Sequence, residues 1–355
     1  STVRKCPIRL SSLLFSPNPK VTTFATAYFS TQNGTDAPVL VRDFIHAALY
    51  EPKDEYFSNR PGSVGVLDRS IKFNQLEVEL FKPWYAHGIA EAIMRTTNLS
   101  LPLNIFEIGG GSGTCAKGEL DYIKLNAPTR VYDNMSYISV EISSSLAKQQ
   151  QETVGEVNSH LARFRVECCD AADPNGWGLE QHPCWVIMLE VLDNLPHDLI
   201  YSENQVSPWM EVWKLLEVLH GALPKMSLIT SYFSYLPDMK IPGDRAPLVS
   251  TKIDGNSSDY STYLDAKGDA DIYIFFPTDF WLLERMDRYC SRQLKKNQDK
   301  SLKGKKRRTI TLNTSSFMEE FGLLSKTRTK DGYNPLLDDF KNTKFYPSVP
   351  THNIK

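Results

Sequence analysis

The chain has 355 residues, of which 41% are hydrophobic and 23% charged, and its formal net charge is −2. That composition is ordinary for a soluble globular protein and allows one large domain or two modest ones. The longest apolar stretch, residues 272–283, is short and broken by Pro277 and Asp279, which excludes a helix across a membrane. The six cysteines, Cys6, Cys115, Cys168, Cys169, Cys184 and Cys290, include no C-x-x-C pair and no zinc spacing. Cys168 and Cys169, adjacent in a strand-like run, read as buried, reduced thiols of a reducing compartment.

Residues 1–35 carry no acid but contain Arg4, Lys5, Arg9 and Lys20 among many serines and threonines, and Leu10, Leu13, Leu14 and Phe15 add a short apolar face. This is the composition of a mitochondrial transit peptide, expected to stand outside the fold. Residues 36–100 read as an N-terminal helical segment. Apolar spacing predicts one helix over 39–50, stopped by Glu51-Pro52, and a second over 77–95 with a start or kink at Pro83. Trp84 and Tyr85 read as packing residues.

From 101 to 355 strands and helices alternate, which predicts an α/β domain: a Rossmann-like, doubly wound, mostly parallel sheet with loop-rich C-terminal insertions. Ile105-Phe106-Glu107-Ile108 leads into Gly109-Gly110-Gly111-Ser112-Gly113-Thr114, where a helical pattern begins. Glycines there let the backbone turn sharply and lie against a ligand. A second strand over 136–141 ends on Glu141, where a nucleotide ribose presents its hydroxyls. Gly109, Gly111 and Gly113 fit the E-x-G-x-G-x-G loop that binds S-adenosylmethionine, while Gly111, Gly113 and Ala116 also fit the dinucleotide pattern G-x-G-x-x-A. Glu107 decides for the methyl donor. An acid two residues before the first glycine meets the cationic amino-acid end of S-adenosylmethionine and would repel a pyrophosphate.

Ser143-Ser144-Ser145 predicts the cap of a helix over 146–161, and alternation over 162–169 predicts a third strand. Asp170, just beyond, is a candidate for the adenine amino group or for the turn itself. The run 184–189 is continuously apolar, as a central parallel strand requires, and leads into Glu190-Val191-Leu192-Asp193-Asn194-Leu195-Pro196-His197-Asp198. Ligands of open α/β sheets bind at the carboxyl ends of the strands, so Glu190 and Asp193 are candidates for the chemistry, with His197 nearby. Next come a helix over 209–221, a strand over 227–233, loop over 237–270, a strand over 272–276 and a helix over 279–294 capped by Thr278 or Asp279. Residues 292–308 hold nine Lys or Arg and one acid. With no aromatic interleaved, this basic run reads as a solvated, mobile insertion rather than a nucleic-acid patch. A short helix over 317–321 and a structured turn over 332–340 follow.

Several blocks together resemble one family. Residues 42–57, with Leu49-Tyr50-Glu51-Pro52 and Tyr56-Phe57, then 105–114, 140–149 (V-E-I-S-x-S-L-x-x-Q) and 190–196 (E-x-L-D-x-L-P), are similar, in order, to motifs of the MidA family. The likeness covers about residues 39–220 and weakens beyond 223, where 271–283 still resembles the family's late block. This family includes a mitochondrial protein arginine methyltransferase that acts in assembly of respiratory complex I. The resemblance implies a type II-like protein arginine N-methyltransferase of the mitochondrial matrix that uses S-adenosylmethionine on an arginine of a complex I subunit. It implies that Glu190 and Asp193 hold the guanidinium, and that Glu107, Gly109, Gly111, Gly113, Thr114 and Glu141 hold the cofactor. Two other readings stay open: a catalytically silent assembly or scaffold protein that keeps the pocket, and a methyltransferase for RNA or a small molecule, for which only the basic run speaks.

Overall fold

The computed structural model describes residues 80–195, 211–235, 276–293 and 307–351 with their side chains, except that of Asp193. It gives backbone alone for residue 210, for 294–298 and for short strands at 21–24, 26–27, 39–40, 200–202, 205–206, 248–253, 256–260 and 271–275. Most of the expected transit segment, residues 41–50 of the helix expected over 39–50, His197 and residues 299–306 lie outside the described residues.

Eight strands make the main sheet: β1 (Asn104–Ile108), β2 (Ser136–Glu141), β3 (Phe164–Cys168), β4 (Cys184–Leu189), β5 (Met226–Phe233), β6 (Arg307–Thr309), β7 (Leu312–Asn313) and β8 (Thr343–Pro350). Their order is β6-β8-β5-β4-β1-β2-β3, with β7 also beside β8. The strands β1 to β5 pair in parallel, whereas β8 runs antiparallel to β5, β6 and β7. The chain reverses direction across the sheet between β1 and β4, the topological switch point at which such sheets bind ligands. The doubly wound, mostly parallel sheet expected from the sequence is therefore present.

Alternation along the strands supplies both faces with apolar side chains. On one face Ile105, Tyr137, Trp185, Ile187, Ile229 and Phe345 pack with α1 (Trp84–Thr96), α2 (Thr114–Asn126) and, further along the chain, residues 314–321. On the other, Phe106, Ile138, Val186, Met188, Leu228 and Tyr346 pack with residues 210–222 and 280–298. The helices that follow α2 are α3 (Thr129–Asp133), α4 (Ser144–Gly155), α5 (Met210–Ala222), α6 (Phe280–Gln298), α7 (Thr314–Phe321) and α8 (Pro335–Asp338). Helices α1 and α2 approach closely at Gly118, where a Cβ would come within 2.7 Å of the Ala86 methyl.

Several expectations need correction. Val39–Leu40 pairs as a strand with Thr26–Ala27, where the spacing predicts a helix. The span 237–270, expected as loop, contains the strands Leu248–Ile253 and Asn256–Tyr260, which join Asp271–Phe275 in a separate three-stranded sheet. Polar Ser, Thr, Asn and Asp dominate those strands, so their composition resembles turns. The basic run is no uniform insertion. It begins inside α6 and ends in β6, where Arg307 is buried. Cys168 is exposed and Cys169 half-buried, not buried, because they stand at the tip of edge strand β3.

Arg307 belongs to a buried ionic network centred on Asp287 of α6. Asp287 lies 2.7 Å from Nε2 of His220 on α5 and accepts from Arg307 Nε at 3.2 Å, from the Tyr346 hydroxyl at 3.0 Å and from the Ser348 hydroxyl at 2.5 Å. Arg307 also donates to the carbonyls of Met226 and Ser348 at 3.0 Å each. Burial pushes the Asp287 carboxyl up, but the Arg307 charge with the His220 and Ser348 hydrogen bonds holds it well below the usual carboxylate range. Four elements, α5, α6, β6 and β8, thus converge on one charge. Asp287→Asn leaves Arg307 buried without its counter-charge and should cost about 3–5 kcal/mol, read as an earlier urea or thermal unfolding transition. Unchanged unfolding would refute this role.

Candidate cofactor and active site

The face on which the strand-end acids lie follows from strand parity. Glu107 shares the face of Ile105, and Glu141 that of Tyr137 and Ser139, so both acids turn toward the helices α2 and α4. Glu107 is 3% exposed, and its Oε2 accepts from the Tyr137 hydroxyl at 3.1 Å. Beside it on α2, the Cys115 thiol donates to Glu119 Oε1 at 3.4 Å, while Glu119 Oε2 is buried without a hydrogen-bond partner. Burial pushes Glu107 up to about 7, against the hydrogen bonds of Tyr137 and Cys115, and pushes Glu119 well above the ordinary carboxylate value. A Cβ on Gly110 would come within 2.9 Å of Glu107 Oε2, so this carboxyl sits directly beneath the glycine loop.

The loop itself turns through three left-handed glycines, Gly109 (φ 66°), Gly111 (φ 55°) and Gly113 (φ 82°). Gly113 caps α2, its N–H donates to the Gly110 carbonyl at 2.9 Å, and a Cβ there would come within 2.9 Å of Gln150 Cα. Ser112 and Thr114 pair their hydroxyls at 2.9 Å. Gln150, wholly buried, holds the arrangement: its Nε2 donates to the Gly111 carbonyl at 3.1 Å and to Glu141 Oε2 at 2.9 Å, and its Oε1 accepts from Ser139 at 2.6 Å. The other oxygen of Glu141 accepts from the Ser143 N–H at 3.0 Å, and Ser143 also caps α4 as expected. Burial nonetheless raises the Glu141 carboxyl above its ordinary value. Ile142, 44% exposed, and Cys168 stand at the tips of β2 and β3 and offer apolar surface beside this acid. Asp170 accepts from the Ala172 N–H at 2.8 Å and so forms its own turn. A turned glycine backbone, a strand-tip carboxylate and neighbouring apolar surface fit the amino-acid, ribose and adenine parts of the expected nucleoside cofactor.

Across the switch point stands Glu190. It is the non-glycine residue with positive φ among the described residues, at 54°, directly after β4. Strain of this kind persists only where the surroundings hold it. Here the Glu190 N–H donates to the Ser231 carbonyl at 3.1 Å, and Asn194 Nδ2 donates to the Glu190 carbonyl at 2.9 Å. Val191 follows, and a Cβ on Gly109 would reach to 3.1 Å of its Cγ2, so the acid turn and the glycine loop touch. Asp193 lies in the short helical turn Leu192–Asn194. Glu190 opens on a pocket lined by Tyr85, Leu189, Ser231, Tyr232, Phe233 and Thr343. Sequence reading missed Gln150, Tyr85 and Ser231. Gln150 is four residues after buried Leu146, a helical spacing that picks it out of three consecutive glutamines.

Comparison with known proteins agrees with this geometry. Residues 86–218 match the model of a family described as "Putative S-adenosyl-L-methionine-dependent methyltransferase". The matched segment runs from α1 through the glycine loop and Glu190 to α5, so it contains the glycine loop, Glu141 and Glu190, but not the pocket residues Tyr85, Ser231 and Thr343. The chain is also 24% identical over 239 residues to the "Protein arginine methyltransferase NDUFAF7 homolog, mitochondrial" of Schizosaccharomyces pombe, covering 58% of this chain and 50% of that protein. The match thus spans about half the length of that curated relative, and the MidA-type resemblance is borne out. In fold, the chain is similar to a COG1565 superfamily member of Burkholderia thailandensis solved with S-adenosyl-homocysteine, at TM-score 0.62 and 13% identity over 89% of this chain and 88% of that one. A native structure from that superfamily and organism gives TM-score 0.57 at 13% identity, with the same coverage of both chains. The sheet is that of class I methyltransferases, and S-adenosylmethionine is the cofactor of the matched family.

The buried acids give this site a pH signature. Folded Glu107 binds its proton more tightly than unfolded Glu107, so this stabilisation is full below about pH 4.5 and is lost as pH rises through about 7. Glu107→Gln, which needs no proton, should therefore gain about 1–3 kcal/mol relative to the wild type between pH 5 and pH 8. Urea unfolding at the two pH values checks this; a stability difference that does not change with pH refutes it.

Proposed function

We propose that this protein transfers a methyl group from S-adenosylmethionine to a guanidinium nitrogen of a protein arginine. The observation that carries the reading is Glu190, held in a left-handed conformation at the tip of β4 and touching the glycine loop through Val191. An acid there lies between the expected cofactor and a pocket open to a second substrate.

When bound, the cofactor supplies an electrophilic methyl on a sulfonium. The chain's own residues do the rest. The glycine loop and Glu141 hold the nucleoside end, and Glu107 beneath the loop complements the amino-acid end. A fully protonated guanidinium is a poor nucleophile. Glu190, with Asp193 three residues later in the same turn, accepts its N–H groups and aims one nitrogen at the methyl carbon. As the N–C bond forms and the S–C bond breaks, the nitrogen loses a proton to the carboxylate, which passes it to water. The methylated guanidinium keeps its charge, so one proton is released per methyl transferred.

The finer reading is a type II-like enzyme of the mitochondrial matrix whose substrate is an arginine of a respiratory complex I subunit. The name of the fission-yeast relative, the acid-free stretch 1–35 and the MidA-type motifs support it. The test incubates wild type and Glu190→Gln with tritiated S-adenosylmethionine and a hypomethylated mitochondrial extract, and counts methylarginine after acid hydrolysis. Wild type should label arginine, and Glu190→Gln should lose at least about a hundredfold while binding the cofactor as tightly. Cofactor binding with no methylated product would turn the reading toward a catalytically silent scaffold.

A further inference from the structure

The pocket beyond Glu190 contains a pair of side chains to which the motifs assign no role. Tyr85 comes from α1 and Ser231 from β5, 146 residues apart, and their hydroxyl oxygens lie 3.2 Å from each other in the buried interior. Tyr85 is 2% exposed and Ser231 4%, yet both line the pocket. Ser231 acts in two directions: its hydroxyl faces Tyr85, and its carbonyl accepts the N–H that fixes Glu190 in its strained turn at 3.1 Å. The Tyr85 ring is held from behind by Phe345 of β8, 5.7 Å away between centroids, which in turn stacks on Phe317 at 3.8 Å. Thr343 on the pocket wall pairs its hydroxyl with that of Thr314 at 2.6 Å. The free space between these side chains is small, about 10 Å3, room for about one water molecule.

We propose that Tyr85 and Ser231 are substrate-positioning residues that receive the arginine side chain beside Glu190. A guanidinium is flat and carries five N–H donors. Glu190 takes donors on one edge, the Tyr85–Ser231 hydroxyl pair accepts from another, and Tyr232 and Phe233 supply the apolar walls along the alkyl stem. Through its carbonyl, Ser231 also sets the direction in which Glu190 points. The inference rests on the arginine reading of the site and names residues that reading does not require.

The experiment measures initial methylarginine formation against concentration of hypomethylated extract for wild type, Tyr85→Phe, Ser231→Ala and Ser231→Thr, with calorimetric S-adenosylmethionine binding and melting temperature measured alongside. Tyr85→Phe and Ser231→Ala should each lose about tenfold or more in kcat/KM, mainly through KM, with cofactor affinity and melting near wild type. Ser231→Thr, which keeps a hydroxyl, should recover most of the activity. The double variant Tyr85→Phe with Ser231→Ala should be little worse than either alone, because the pair acts as one unit. Methylarginine formed by wild type with unchanged kcat/KM in both single variants overturns this inference alone. Product from wild type carrying label on a residue other than arginine overturns the arginine reading and this inference with it. Loss of activity matched by equal loss of cofactor binding or of folding overturns the positioning role in favour of a structural one.

Discussion

The amide of Gln150 is the interaction on which the cofactor half of the molecule depends. It joins the carbonyl of Gly111, the carboxylate of Glu141 and the hydroxyl of Ser139, three groups from two chain segments, inside a site closed to water. An amide has both donors and an acceptor, so one side chain satisfies all three partners without adding charge. A cation in its place would neutralise Glu141, and an apolar residue would leave Glu141 and Ser139 with unmet hydrogen bonds in a dry interior. The loop can therefore bend through left-handed residues because its far side is held, and the acid of β2 is kept at the level of the loop. The parallel register of β1 with β2 and β4 places the tip of β4 at that same level.

Much of this was legible in the sequence because local chemistry demanded it. A left-handed turn demands glycine, a ribose at a strand tip demands an acid, and a strand covered on both faces demands an unbroken apolar run. Pro83 marks the start of α1, Ser143 caps α4, and Asp279 accepts from the Leu282 N–H at the start of α6. What escaped reading was set by distant partners. The strand β8 contains Pro347 and Pro350, and proline in a strand reads as a break. Here the Pro347 carbonyl still accepts from the Ile310 N–H, so proline removes a donor without ending the pairing. Arg307 looks like one more surface base in a run of nine, and nothing local shows that Asp287 awaits it. Tyr85 reads as a packing aromatic. Its ring is indeed packed, but its hydroxyl reaches the pocket.

The two halves of the site differ in how the chain builds them. The cofactor half is assembled by residues 105–150 from neighbouring β-α units. The pocket beyond Glu190 gathers Tyr85 from before the first strand of the sheet, Ser231 from its fifth and Thr343 from its eighth. A local supersecondary motif thus builds the glycine loop and the strand-tip acid, whereas residues far apart in sequence build the pocket beyond Glu190. The sharp turn at Glu190 belongs to both halves, since its neighbour Val191 touches the loop while its own N–H is tied to Ser231.

The antiparallel strand β8 has a consequence for the order in which the protein matures. Its Tyr346 and Ser348 hold Asp287, its Phe345 backs Tyr85, and its first residue lines the pocket. Because its pairing with β5 closes a loop of about a hundred residues, it forms late. The edge strands β6 and β7 pair with β8 and not with β5, so this whole edge of the sheet, with the wall behind Tyr85, waits on one long-range pairing.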